Sequence, residues 1–100
     1  MAVVQWHPRA FEQFAELDRA VQTRIQRVLT SLEAMDDVRT KLIPYRAELA
    51  GYWKLRVGDY RLVTSLREQD GQTVLVIYLA HRREVYGSRA VSALKRRNAD

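Results

Sequence analysis

The chain reads as an α+β protein in which two N-terminal helices lie on one face of a mostly antiparallel sheet. Three observations predict this. Apolar residues recur at helical spacing through residues 8–32, they alternate through residues 53–66, and the last three strand-like stretches are joined by turns too short for a crossover. Helices in one run and most strands in another is the order of an α+β fold, whereas α/β proteins alternate the two.

The opening AVVQW, residues 2–6, predicts a short strand, and HP ends it. Pro8 suits the first helical position, where its missing N–H costs nothing, and His7 stands at the helix start. Ala10, Phe11, Phe14 and Leu17 then give this helix one apolar face. Asp18 is positioned to cap a second helix, whose stripe is Val21, Ile25, Val28, Leu29 and Leu32. Two amphipathic helices joined by a short turn form a hairpin that needs a flat apolar surface to cover.

A polar linker follows, residues 36–51, with Pro44 inside it. The period then changes to 2: Trp53, Leu55 and Val57 point one way, Lys54 and Arg56 the other. VGDY makes a turn. Residues 60–66 return as a strand with Arg61, Val63 and Ser65 opposite Tyr60, Leu62 and Thr64. After the turn REQDG, residues 74–80 are almost uniformly apolar, which predicts a central strand covered on both sides. Four strands are expected in all, with Trp6 and Trp53 in the core. From Ser88, Val91 and Leu94 separate Arg89, Lys95, Arg96 and Arg97, a pattern that fits either a short helix or a frayed tail.

Residues 1–100 are expected to form one domain, since a chain of 100 residues buries enough surface to fold without a metal or disulfide. The absence of cysteine excludes a thiolate nucleophile and a cysteine-ligated zinc site, and two histidines make no metal cluster. No cofactor is expected. The longest apolar run, residues 74–80, is too short to cross a bilayer, and the N-terminus lacks a signal-peptide pattern, so a cytoplasmic location without membrane attachment is expected.

The formal net charge is +5, and its placement is more informative than its size. Residues 1–50 hold seven Lys or Arg against seven Asp or Glu, while residues 51–100 hold ten against five. A surplus confined to one half favours a polyanionic partner. Within it, GYWKLRVGDYRLV gathers Lys54, Arg56 and Arg61 about one glycine turn, and Arg82, Arg83 and Tyr86 follow the last strand. If hairpin register puts Lys54 and Arg61 on one face, they form a groove suited to a phosphodiester, whose anion an arginine fork holds bidentately. RNA supplies its own nucleophile, the 2′-hydroxyl, and needs only alignment and proton removal. His81, at the end of the apolar run, is a further candidate acid or base. The alternatives are a solvated strand face for Lys54 and Arg56, and an ion pair with Asp59 or Glu84 for Arg61.

Three segments, WHPRAFEQFAELD, GYWKLRVGDYRLV and LAHRREVYG, occur in an order that resembles the RelE/ParE superfamily of bacterial toxin–antitoxin toxins over roughly residues 3–88. The resemblance implies a compact α+β toxin bound by a cognate antitoxin. In the RelE-like branch it implies metal-independent cleavage of mRNA at the ribosomal A site by 2′-hydroxyl attack. In the ParE-like branch it implies inhibition of DNA gyrase without nuclease chemistry. Transferred by motif, Lys54 matches a general base or a charge beside it, and Arg61 the residue holding the scissile phosphate. Arg82 matches the arginine that protonates or stabilises the leaving group, and Tyr86 the aromatic that orients the nucleotide. Arg56 resembles the family's basic strand residue, a backbone contact, and Arg83 is a further candidate RNA-binding residue. Tyr52 stands where some ribosome-dependent members have a second lysine, which leaves the base open between Lys54 and His81. A plain nucleic-acid-binding module is the third class.

Overall fold

The computed structural model describes residues 1–84 and 88–99, so Tyr86 lies outside the described residues. In chain order the elements are β1 (Ala2–Trp6), α1 (Pro8–Ala15), α2 (Arg19–Glu33), β2 (Ile43–Pro44), β3 (Trp53–Val57), β4 (Tyr60–Arg67), β5 (Gln72–His81) and α3 (Ser88–Ala99). The strands form one sheet in the order β1-β5-β4-β3-β2. β1 runs parallel to β5, and every other pairing is antiparallel.

The helix starts follow local chemistry. His7 is the N-cap of α1, its Nδ1 accepting from the Arg9 N–H at 3.1 Å, with Pro8 in the first turn. Asp18 occupies the N-cap of α2 as expected, but its side chain makes no capping bond. Gln22 instead donates to the carbonyls of Phe14 and Ala15, closing the end of α1 from the first turn of α2.

The linker holds a fifth strand beyond the four expected. Ile43 and Pro44 pair with Lys54 and Trp53 at the sheet edge. Two residues are too few to show a period, and proline, which cannot donate to a ladder, is tolerated there only because the strand is an edge. Two 3₁₀ turns, Val38–Thr40 and Ala47–Leu49, flank it, and Val38, Leu42, Tyr45 and Leu49 are buried. Asp37 ties this segment down. It accepts from the Arg39 guanidinium and the Gln72 side-chain amide, while Arg39 also reaches Glu68 at 3.4 Å.

Each sheet face has its own core. On one, α1 and α2 pack Phe14, Ile25, Leu29 and Leu32 against Leu55, Leu62, Val74 and Val76. On the other, α3 packs Leu94 with Tyr45, Leu49, Val63, Ile77 and Ala80. β5 is therefore covered on both sides, which is why its sequence is uniformly apolar. The tail whose state was open is helical, because Leu94, 2% exposed, has this second core to enter. Past the end of β1, the free edge of β5 is closed by side chains: Gln13 accepts from the Leu79 N–H, and Arg97 donates to the Ile77 carbonyl.

Candidate functional site

Register settles which cations share a face. Val57 pairs with Tyr60 around a two-residue turn, which sets Arg56 directly opposite Arg61. Lys54 lies two residues along from Arg56, about 7 Å at strand rise, on the same pleat. Trp53, Leu55 and Val57, with Leu62 and Thr64, face the helical hairpin. Lys54, Arg56 and Arg61 therefore occupy the face opposite the hairpin, the one that α3 partly covers.

The turn itself is Gly58–Asp59. Gly58 has φ +57° and Asp59 has no positive φ, the pattern of a II′ hairpin turn, which calls for glycine at its first position. The Arg61 guanidinium curls back over it, Nη1 donating to the carbonyls of Gly58 and Tyr60 at 2.9 Å each. Arg61 is thus held by backbone rather than by Asp59 or Glu84. Among the described residues its Nε and Nη2 meet no acceptor, so their hydrogens are available to a planar anion.

Arg82 reaches the same turn from the end of β5. Its N–H donates to the Asp59 carbonyl at 2.8 Å, and its Nε stands 3.9 Å from the Asp59 carboxylate. Both side chains are more than half exposed, so this pair is loose and contributes little. Asp59 thus stands at the rim of the cationic face. Lys54 faces away from the turn: its Nζ lies 5.7 Å from the centre of the Tyr45 ring, in a groove of about 610 Å³ shared with Glu48, Leu49 and Val91 of α3. Among the described residues Lys54 has no ion-pair partner.

His81 is not brought into this group. It pairs with Tyr60, on the hairpin side of the sheet, and the two rings meet edge to face at 5.7 Å. Its Nδ1 accepts from the Arg83 N–H at 3.3 Å, and the Arg83 side chain is exposed. Strand alternation explains the difference, because Ala80, opposite Arg61, takes the position on the cationic face.

One cation at the turn was not foreseen. Arg24, from α2, lies so close to Gly58 that a methyl group there would meet its Nη1 at 2.8 Å. Guanidinium groups therefore approach the turn from α2, from β4 and from the end of β5. Nothing in the pattern of α2 distinguishes Arg24 from a solvent-facing residue, so only the tertiary contact reveals it. Among the described residues no group of three His, Asp or Glu side chains is arranged to hold a metal ion.

A family of known proteins matches most of this chain: the ParE toxin of the type II toxin–antitoxin system, parDE, aligns with residues 4–86. No curated protein sequence matches significantly. Among solved structures, the toxin–antitoxin complex RelBE2 of Mycobacterium tuberculosis is similar at TM-score 0.57 and 26% identity, covering 80% of this chain and 96% of that one. A mutant of the E. coli toxin RelE in the free state is similar at TM-score 0.67 and 20% identity, covering 95% of both chains. The archaeal RelE–RelB complex of Pyrococcus horikoshii OT3 is similar at TM-score 0.60 and 22% identity, covering 83% and 97%. The resemblance first carried by three short segments thus extends to a family alignment over residues 4–86 and to the whole architecture, and the chain belongs to the RelE/ParE superfamily of type II toxin–antitoxin toxins.

Proposed function

We propose that this toxin acts in the cytoplasm as an mRNA endoribonuclease at the ribosomal A site and is held inactive by a cognate antitoxin. The observation that carries this reading is the pairing register, in which Lys54, Arg56 and Arg61 share one pleat and Arg82 reaches the Gly58–Asp59 turn from the end of β5. The Arg61 fork grips the scissile phosphate through Nε and Nη2. Lys54 withdraws the proton of the adjacent 2′-hydroxyl, or holds a charge beside the group that does. The oxygen then attacks phosphorus and the bond to the 5′-oxygen breaks; the leaving oxygen takes a proton from water, Lys54 returns to solvent the proton it accepted, and a 2′,3′-cyclic phosphate and a 5′-hydroxyl result. Arg61 and Arg82 stabilise the negative charge that collects on the nonbridging oxygens. Arg82 is free to do so because its contact with Asp59 is loose. Arg56 and Arg83 contact the backbone on either side. Lys54 suits the proton transfer better than His81, which lies on the other pleat. The role that the resemblance implies for Tyr86 is to orient the nucleotide.

A second reading, inhibition of DNA gyrase by protein contact, is favoured by the description of the matching family, which names ParE. One experiment separates the two. The chain is expressed without its antitoxin, 5′ ends are mapped on cellular transcripts, and plasmid supercoiling is followed in parallel. In-frame cleavages with unchanged supercoiling support the nuclease, and relaxed plasmids with intact transcripts overturn it. The antitoxin itself is tested by co-purification of the neighbouring gene product.

A further inference from the structure

A second cationic cavity opens on the same sheet face, at the opposite end of β4. It measures about 580 Å³, and its lining includes His7, Arg9, Ser65, Arg67 and Arg97, with no carboxylate among the lining residues. Its elements converge from different parts of the chain. His7 and Arg9 come from the start of α1, Ser65 and Arg67 from the pleat of β4 that also bears Arg61, and Arg97 from the end of α3. Arg97 is fastened in place: its guanidinium donates to Gln13 at 2.7 Å and to the Ile77 carbonyl, and it lies 4.8 Å from the centre of the Tyr78 ring. Arg9 and Arg67 are exposed and make no ion pair among the described residues. His7 already uses Nδ1 as the cap of α1, which leaves Nε2 free to face a ligand.

Such a collection costs electrostatic energy unless an anion visits it. Burial pushes the Arg97 guanidinium below its ordinary pKa, and the neighbouring Arg9 charge acts in the same direction, opposed by Tyr78 and by Glu12 of α1. Glu12 lies outside the cavity lining. Holding several cations about one concavity is the arrangement expected of a phosphate site, where forks and a hydroxyl share the nonbridging oxygens.

The geometry points to this cavity as a second phosphate-binding site, one that holds the RNA backbone at a distance from the reacting phosphodiester. The proposal takes its ligand class from the RNA-cleaving reading above. Arg61 and Arg67 are six residues apart on one strand, so the two sites are separated by about 20 Å. At roughly 3.4 Å per stacked nucleotide, a strand of about six nucleotides spans that distance. An RNA recognised at both ends is held in one register over the Arg61 turn, and a fragment too short to reach both is not.

The test measures binding, not cleavage, with 2′-O-methyl RNA that cannot react. The Arg9→Ala/Arg67→Ala variant changes two exposed side chains and leaves Arg97 and its structural bonds in place, and its thermal midpoint is measured beside the parent's. For a strand of about twelve nucleotides the variant is expected to bind about tenfold more weakly at low salt, with a salt slope smaller by about 1.4, roughly 0.7 for each phosphate no longer neutralised. A trinucleotide, which cannot engage both sites at once, is expected to lose less affinity than the longer strand. Equal affinity and slope for the longer strand would overturn the proposal. Unchanged RNA binding with weakened antitoxin binding would overturn it too, and would reassign the cavity to an acidic protein segment. The single variant Arg67→Gln, which keeps the stem and removes the charge, must show the same trend with a smaller change of slope. If Arg61→Ala still cleaves transcripts while the double variant loses RNA affinity, the cleavage mechanism fails and the second site stands.

Discussion

Arg61 shows how one side chain is prepared for an anion. Two backbone carbonyls take Nη1, so the fork is oriented before any ligand arrives and loses less rotamer freedom on binding. Replacing it with alanine removes this preorganised donor set. Under the proposed mechanism Arg61→Ala is expected to lower cleavage by about 10²- to 10³-fold, the usual cost of one such transition-state contact, with circular dichroism unchanged. Arg61→Lys retains the charge but not the planar fork, and is expected to recover only part of the loss in the same transcript-cleavage assay. Asp37 is the corresponding case for stability. The Arg39 guanidinium first, then the Gln72 amide and the Arg39 N–H, hold its carboxyl well below the ordinary 3.8. Because the folded value is depressed, the stabilisation is fully present above 3.8 and is lost as the pH falls through the folded value. Asp37→Asn is therefore expected to lower the thermal midpoint at neutral pH, and the gap to the parent should close as acid titrates the parent. A gap that stays constant down to strongly acidic pH would refute the linkage.

At the scale of elements, the β3–β4 hairpin sets the site, and its turn is the sensitive point. Gly58 supplies a positive φ, which a residue with a Cβ adopts at a cost of about 1–2 kcal/mol. The added methyl would meet only the end of the flexible Arg24 side chain, which can swing aside. Gly58→Ala is expected to destabilise by about that amount in urea denaturation. Combining it with Arg24→Ala should be close to additive, because the strained φ and not the contact with the movable guanidinium carries the cost, and a double-mutant cycle measures this. Helix α3 is the other informative element. It rests on the second core through Leu94 and Val91, and Arg97 anchors its last turn. Leu94→Ala falls in the class of core truncations that cost about 2–5 kcal/mol. Because α3 is terminal, the expected outcome is faster amide exchange in α3 while β4 and β5 stay protected. Uniform loss of protection would mean that α3 is part of the global folding unit.

For the whole molecule, much of the architecture was legible because burial imposes a period. The stripe of α2, the alternation of β3 and β4 and the apolar run of β5 each state which sides are covered, and each is found so. Strand β2 was not legible, since two edge residues carry no period. Sequence proximity suggested placing His81 with Arg82, yet one step along a strand reverses the face, and His81 lies with Tyr60. Arg24 and the cavity around Arg9, Arg67 and Arg97 had no sequence signal, because their members come from elements far apart in the chain.

The amino-acid order alone determined the α+β class, the faces of the helices and strands, and the concentration of positive charge in the second half, since all of these follow from local periodicity and composition. Tertiary structure decided which cations meet. Pairing register brought Arg56 opposite Arg61, and turn geometry set Arg82 beside Asp59. The packing of α2 and α3 on opposite faces delivered Arg24 to one end of β4 and Arg97 to the other. The reason is physical: a side chain's face is set by its own neighbours in the chain, but its partners are set by whatever the fold lays across that face.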